Sequence, residues 1–297
     1  MKIDAVFSGG GVKIYAFAGV LDSFAEKDIV VERAAGTSAG AIIASLISAR
    51  YSVEEIKQFM YEIDLKLFLD PPRLTKYIPF SKWLFLYFQL GINKGNRLEQ
   101  WLYEKLAEKN IYTFHDIEEG YLKVVVSDLS LGKLVVIPDD LERLYGIKPS
   151  HFPVAKAVRM SAGFPYFFMP KKLPGKTMKK SIIVDGGLLS NFPLWIFDNG
   201  TTREKRPVLG IKLTTSYENQ NQSRDIRNAF DMFTALFATM KQAHDARYVS
   251  TKEKNNIIFI PVDGVDSVDF HLSEEKKSEL FQLGKARADQ FLRYWPK

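Results

Sequence analysis

Gly36-Thr37-Ser38-Ala39-Gly40, followed by Ala41-Ile42-Ile43-Ala44-Ser45-Leu46-Ile47-Ser48-Ala49, decides how this chain is read. One serine stands between two glycines where a predicted strand meets a small, apolar predicted helix, which is the pattern of a nucleophile elbow. Such a turn holds the serine in a strained backbone conformation with its hydroxyl pointing out, and side chains at the glycine positions would collide. The following helix would bury itself against a sheet and bring its N-terminus under the serine. An ordinary strand-to-helix turn can carry the same pentapeptide, so its surroundings have to discriminate.

One βα unit upstream, Lys2-Ile3-Asp4-Ala5-Val6-Phe7-Ser8 reads as a strand that runs into Gly9-Gly10-Gly11-Val12-Lys13. Apolar spacing at Ile14, Phe17, Ala18, Leu21 and Phe24 then predicts a helix to Glu26. Strand, glycine turn and helix bring backbone N–H groups and a helix N-terminus towards negative charge. The triglycine fits neither the dinucleotide nor the P-loop fingerprint, because Ile14 stands where the last glycine belongs and no hydroxyl follows Lys13. Two readings remain: an oxyanion hole serving Ser38, or a tight turn, which needs only one glycine.

Composition narrows the classes. The chain has 297 residues, 46% hydrophobic and 26% charged, enough for a large α/β core. With no internal repeat or linker, residues 1–297 read as one domain. Zero cysteines exclude disulfides and thiolate metal sites. Strand-like sequence from Ile3 leaves no room for a secretory leader, and the expected location is cytoplasmic. No apolar run approaches the ~20 residues of a membrane span. The net charge of +6 favours anionic partners such as nucleic acid or acidic lipid, but the excess is modest and spread out, and on charge alone a solvated surface rich in lysine fits better than a nucleic-acid groove.

Further along, Ser52-Val53-Glu54-Glu55 is a capping box opening a helix to about Ile63. Residues 64–95 combine Pro71-Pro72 with many aromatics and leucines. They suggest a cap whose apolar face, around Phe80 and Trp83 to Leu90, shields a site or dips into lipid; a satellite core is the alternative. Asn96 is expected to cap a helix to about Lys109. Two strands follow at 121–128 and 132–137, then a helix from Pro153 to Met160. Ser161-Ala162-Gly163-Phe164-Pro165-Tyr166-Phe167-Phe168 is a loop whose proline and aromatics are placed to line a pocket. Lys171, Lys172, Lys176, Lys179 and Lys180 crowd one hairpin, which would attract anionic head groups or simply be solvated. The strand Ser181-Ile182-Ile183-Val184 delivers Asp185-Gly186-Gly187 at its C-terminal end, where open α/β sheets place ligands, though Asp-Gly is also a plain turn signal. Later strands at 207–213 and 256–260 and helices at about 225–250 and 273–294 complete the chain.

Four histidines offer a base for Ser38: His115, His151, His244 and His271. An α/β-hydrolase order would leave His244 and His271, with His271 the better placed. That fold puts several strands before its serine, whereas Ser38 follows at most two. The ordered set Ser8-Gly9-Gly10-Gly11-Val12-Lys13, Gly36-Thr37-Ser38-Ala39-Gly40, Ser161-Ala162-Gly163-Phe164-Pro165-Tyr166-Phe167 and Asp185-Gly186-Gly187 instead resembles the patatin-like phospholipase family, over residues 3 to 213. The resemblance implies a three-layer α/β/α sandwich with a mainly parallel central sheet and an inserted helical cap. It further implies Ser38 as nucleophile, Asp185 as its direct base, and Gly9, Gly10 and Gly11 as oxyanion donors, with no catalytic histidine and no required metal or other cofactor. Lys13, Phe164 and Pro165 are the expected substrate contacts, with Lys13 adding positive charge near the acyl oxygen or lipid phosphate. The expected partner is a phospholipid or other acyl lipid, with peripheral contact to an anionic membrane. The expected activity is acyl-ester hydrolysis; acyl transfer by the same serine and an inert lipid-binding module are the alternatives. One position departs from the family: the loop usually continues with glycine after its basic residue, and here Ile14 stands there.

Overall fold

Alternating side chains sort the central strands between two apolar layers. In β1 (Lys2–Phe7), Ile3, Ala5 and Phe7 join one buried cluster and Val6 the other. In β2 (Val30–Thr37), Ala34 and Ala35 divide the same way. A computed structural model of the chain describes residues 1–77, 81–175, 179–197, 206–215, 225–248 and 253–295. Phe80, Lys176 and Ser250, and the side chains of Lys82 and His244, lie outside the described residues.

The other strands are β3 (Gly91–Asn93), β4 (Leu122–Asp128), β5 (Lys133–Ile137), β6 (Tyr166–Phe168), β7 (Lys171–Pro174), β8 (Lys180–Asp185), β9 (Val208–Thr214) and β10 (Ile257–Pro261). The large sheet runs β10-β9-β1-β2-β4-β8-β7, with β5 also on β4. Its β10-to-β4 portion is parallel, and β5, β7 and β8 pair antiparallel. The helices are α1 (Tyr15–Glu26), α2 (Ala39–Ser48), α3 (Val53–Glu62), α4 (Ser81–Gln89), α5 (Asn96–Glu108), α6 (Leu141–Tyr145), α7 (Val154–Ser161), α8 (Ala229–Tyr248) and α9 (Glu274–Leu292). Together they make the expected three-layer α/β/α sandwich.

One pairing positions the site. β5 occupies one edge of β4 from Val124 to Asp128, which leaves a single free edge. β2 takes its first part, pairing Thr37 with Val125, and β8 takes the rest in the opposite direction, pairing Asp185 with Val126. The C-terminal ends of β2 and β8 therefore meet head to head.

Several local signals act as the sequence suggests, and one does not. The capping box at Ser52 and Glu55 is fully formed, and α3 follows it. Asn96 does not cap α5: Gly95, at φ 68°, is the capping position, and the acceptor is Asp70, whose carboxylate takes the N–H groups of Gly95, Asn96 and Arg97. A carboxylate brought from the 64–95 segment thus meets the positive end of the helix. From the same segment, Leu65 and Phe68 turn inward, whereas Trp83, Leu84, Tyr87 and Phe88 on α4 face solvent. Among the lysines of the β7–β8 hairpin, Lys171 is held by Glu99 at 2.5 Å.

α1 and α9 cross at two glycines. A Cβ on Gly19 would lie 2.0 Å from the Phe281 carbonyl oxygen, and one on Gly284 would lie 2.0 Å from that of Ala16. Gly19→Ala and Gly284→Ala are each expected to destabilise the fold by about 1 to 3 kcal/mol in urea unfolding. The double change should cost less than the sum, since either one already forces the helices apart.

Candidate active site

Ser38 sits between β2 and α2 at φ 54°, ψ −121°, a backbone conformation that costs about 1 to 3 kcal/mol and persists only where its surroundings enforce it. Both flanking glycines are required by close approach. A Cβ on Gly36 would come within 2.3 Å of Gly40 backbone, and one on Gly40 within 2.3 Å of the Phe7 carbonyl oxygen. The turn is also pinned from outside: the Ser38 N–H donates to Ser161 Oγ at 2.9 Å, and that hydroxyl donates to the Val125 carbonyl at 2.6 Å. Ser161 is wholly buried at the end of α7. The sequence placed it in a pocket-lining loop; its role as a strut was not legible, because Val125 and Ser38 are remote from it in the chain.

Asp185, the last residue of β8, is held against the same turn. Its N–H donates to the Gly163 carbonyl at 3.0 Å, and its Oδ1 accepts the Gly187 N–H at 2.7 Å. A Cβ on Gly186 would lie 2.2 Å from the Val125 carbonyl oxygen, so the chain can leave β8 this tightly only through glycine. Burial raises the Asp185 carboxyl to about 6, against the opposing effects of the Gly187 amide, a hydrogen bond from the Ser38 hydroxyl, and the charges of Lys241 and Arg159. Ser38 and Asp185 thus line the same cavity, beside each other where the ends of β2 and β8 meet.

The triglycine lies beside them with its amides in different states. The Gly9 N–H already donates to the Asn191 carbonyl at 3.0 Å, which removes it from the expected donor set. The Gly10 and Gly11 amides, on the cavity wall, make no hydrogen bond among the described residues. Gly11 has φ 57°, and a Cβ there would lie 1.9 Å from the Ser267 carbonyl oxygen, which accepts the Val12 N–H at 3.0 Å. The loop around Ser267 thus backs the turn. Ile14, the departure from the family pattern, is buried at the start of α1 and contributes to the cavity wall.

The cavity itself measures about 210 Å³ and is predominantly apolar, with Ile42, Met60, Phe68, Trp101, Phe167 and Phe270 among its walls. Phe164 lines it as expected, and its ring lies 4.7 Å from that of Phe237. Pro165 and Lys13 do not line it. Burial lowers the Lys13 ammonium, and the carboxylates of Asp266 and Asp263 act against that shift, so this lysine belongs to the backing loop. The cover over the cavity differs from the expected cap. Among the described residues of the 64–95 segment only Leu65 and Phe68 reach it, whereas α8 presents Thr234, Phe237, Ala238 and Lys241 at helical spacing. The sequence marked α8 as amphipathic but could not say what it covers. His115, His151 and His271 are all exposed and line no part of the cavity. Among the described residues no three His, Cys, Asp or Glu converge as a metal site, and no helix is long and apolar enough to cross a membrane.

Residues 5–198 match the sequence model of the patatin-like phospholipase family. The chain is 46% identical to the uncharacterised YqhO of Bacillus subtilis (strain 168) over 99% of both chains. It is 25% identical to the uncharacterised R571 of Acanthamoeba polyphaga mimivirus, over 93% of this chain and 89% of that one. Among solved structures, VipD from Legionella pneumophila is similar with a TM-score of 0.58 and 19% identity, covering 98% of this chain and 67% of that one. The type III effector ExoU, solved from Pseudomonas aeruginosa, is similar with a TM-score of 0.52 and 16% identity, and this chain spans 53% of it. At those identities the likeness is one of fold.

The raised Asp185 carboxyl has a consequence for stability. A folded-state value of about 6 against 3.8 means that the folded chain binds the proton more tightly, so stability is full below pH ~4 and falls as pH rises through about 6. Asp185→Asn keeps an acceptor for Gly187 and removes the buried charge. It is expected to stabilise the protein by roughly 3 kcal/mol above pH ~7 and to have little effect near pH ~4, as read by urea unfolding at the two values.

Proposed function

Because the chain belongs to the patatin-like phospholipase family, we propose that it is a serine acyl hydrolase that cleaves fatty-acyl esters of phospholipids or related glycerolipids, with Ser38 as nucleophile and Asp185 as its base. The observation that carries the reading is the placement of the strained Ser38 beside a buried Asp185 in one apolar cavity, with the Asp185 carboxyl raised to about 6 by burial.

As Ser38 Oγ attacks the acyl carbonyl, Asp185 accepts its proton in the same step, since a free alkoxide would be far too basic for a carboxylate to generate. The carbonyl oxygen becomes an oxyanion beside the Gly10 and Gly11 amides, and a donor of this kind is commonly worth about 3 to 4 kcal/mol. Collapse breaks the ester bond, and the departing alcohol takes the proton from Asp185. Water then attacks the acyl-serine, giving its proton to Asp185, and expulsion of Ser38 Oγ returns that proton and releases the fatty acid. Desolvation strengthens Asp185 as a base, while Lys241 and Arg159 keep enough of it charged at neutral pH. The apolar walls suit an acyl chain, and the lipid partner follows from them.

Ser38→Ala and Asp185→Asn should each abolish ester hydrolysis in folded protein, and Ser38→Ala should abolish labelling by a fluorophosphonate. His271→Ala should leave hydrolysis near the parent rate; a fatal effect would restore the histidine triad. For the parent enzyme, kcat/KM should rise about tenfold per pH unit below about 6 and level off above it. Lys241→Met should move that midpoint upward, because the lysine charge favours the ionised carboxylate.

A further inference from the structure

α4 reverses the usual logic of a surface helix. In Ser-Lys-Trp-Leu-Phe-Leu-Tyr-Phe-Gln, the partly covered side chains among those described are Phe85 and Leu86, and the opposite face is apolar as well. Trp83 is 71% exposed, Tyr87 77% and Phe88 71%, and Tyr77 just before the helix is 83% exposed. Tyr87 and Phe88 meet edge to face at 4.9 Å and cover little of each other. Concentrated aromatic exposure of this kind marks an interaction surface on a water-soluble face.

Charge distinguishes the partner. Residues 64–97 contain six Lys or Arg and two Asp, so this stretch supplies four of the chain's six net positive charges. Of the two carboxylates, Asp70 is committed to the start of α5. Trp and Tyr with basic neighbours suit the boundary between acidic head groups and acyl chains, where the rings sit at head-group level and the cations meet phosphate. A protein partner of the usual kind would not require that excess of charge. The surface is also continuous with the cavity. α4 packs on β3, which pairs with β6 through Gly91–Tyr166 and Asn93–Phe168, and Phe167 and Phe168 line the cavity. The same segment sends Leu65 and Phe68 into the wall.

We propose that α4 and the turn before it form a docking surface for an anionic phospholipid bilayer, which seats the cavity mouth at the membrane so that an acyl lipid passes from bilayer to Ser38. The choice of partner rests on the acyl-lipid reading; the docking itself is independent of catalysis. The surface lies outside the cavity wall, so losing it should affect access to membrane lipid and leave the chemistry intact.

The test uses the full-length chain with two changes made separately and together: Ser38→Ala, and the triple change Trp83→Ser, Tyr87→Ser and Phe88→Ser. Binding is measured by co-sedimentation and Trp emission with vesicles of phosphatidylcholine containing phosphatidylserine, against phosphatidylcholine alone. Ser38→Ala is expected to bind the anionic vesicles with a blue shift in emission, and added salt should weaken that binding. The triple change should reduce vesicle affinity roughly tenfold or more, in either background. With Ser38 present, it should reduce hydrolysis of vesicle lipid in proportion while leaving a water-soluble short-chain ester at the parent rate. Unchanged vesicle binding by the triple variant overturns the proposal, as does failure of the Ser38→Ala chain to bind anionic vesicles. A parent dimer that the triple change dissolves, without vesicle binding, would assign the surface to a second copy and equally overturn it. If vesicles bind as expected but no ester is cleaved, the docking surface stands and the hydrolase reading falls.

Discussion

A β-strand has two edges, and β4 gives one of them to β5 and divides the other between two strands running towards each other. That division is the constraint on which the site depends. Consecutive residues of β4, Val125 and Val126, hold Thr37 and Asp185, so the residue after Thr37 has to stand beside the end of β8. A register slip of one residue would turn Asp185 to the opposite face of the sheet. The nearness of Ser38 to Asp185 is thus set by backbone pairing before either side chain contributes.

The C-terminal turn of α7 locks this meeting point. Arg159, wholly buried, donates to the carbonyls of Lys94, Gly95 and Met169 and ties the base of the 64–95 segment to the helix. Two residues on, Ser161 bridges Ser38 and Val125; two further, Gly163 accepts the Asp185 N–H. A single turn therefore joins the inserted segment, the elbow and the aspartate loop. Arg159 also bears on the electrostatics. Burial draws its guanidinium down to about 10, which leaves it charged, and that charge partly offsets the desolvation of Asp185.

Apolar surface is used in two ways near the site. Inside, aromatic and aliphatic walls remove water from Asp185 and make it a stronger base than an exposed carboxylate. Outside, α4 leaves aromatic side chains uncovered at a cost in water that folding alone does not offset. Both uses suit a reaction whose substrate is itself held in an apolar phase, and β3 and β6 connect them mechanically.

The glycine positions, the capping box at Ser52 and the strand-to-helix order were legible in the sequence because their causes are local. Gly36 and Gly40 answer to a turn a few residues long, and Ser52 and Glu55 answer to the first turn of one helix. Other assignments needed the folded chain. Asp70, not Asn96, caps α5; the Gly9 amide is occupied by Asn191; the Asp266 carboxylate acts on the buried Lys13; and α8 brings Thr234, Phe237, Ala238 and Lys241 to the cavity wall. Each of these pairs groups far apart in sequence, and nothing in composition or spacing says which of many carboxylates or apolar faces will arrive. The sequence by itself determined that Ser38 and Asp185 would each stand beside glycines at the end of a strand, and the kind of fold that would hold them. Tertiary structure alone decided which amides stay unbonded, how dry Asp185 becomes and which apolar face is left to solvent, because hydrogen bonding and desolvation depend on neighbours in space.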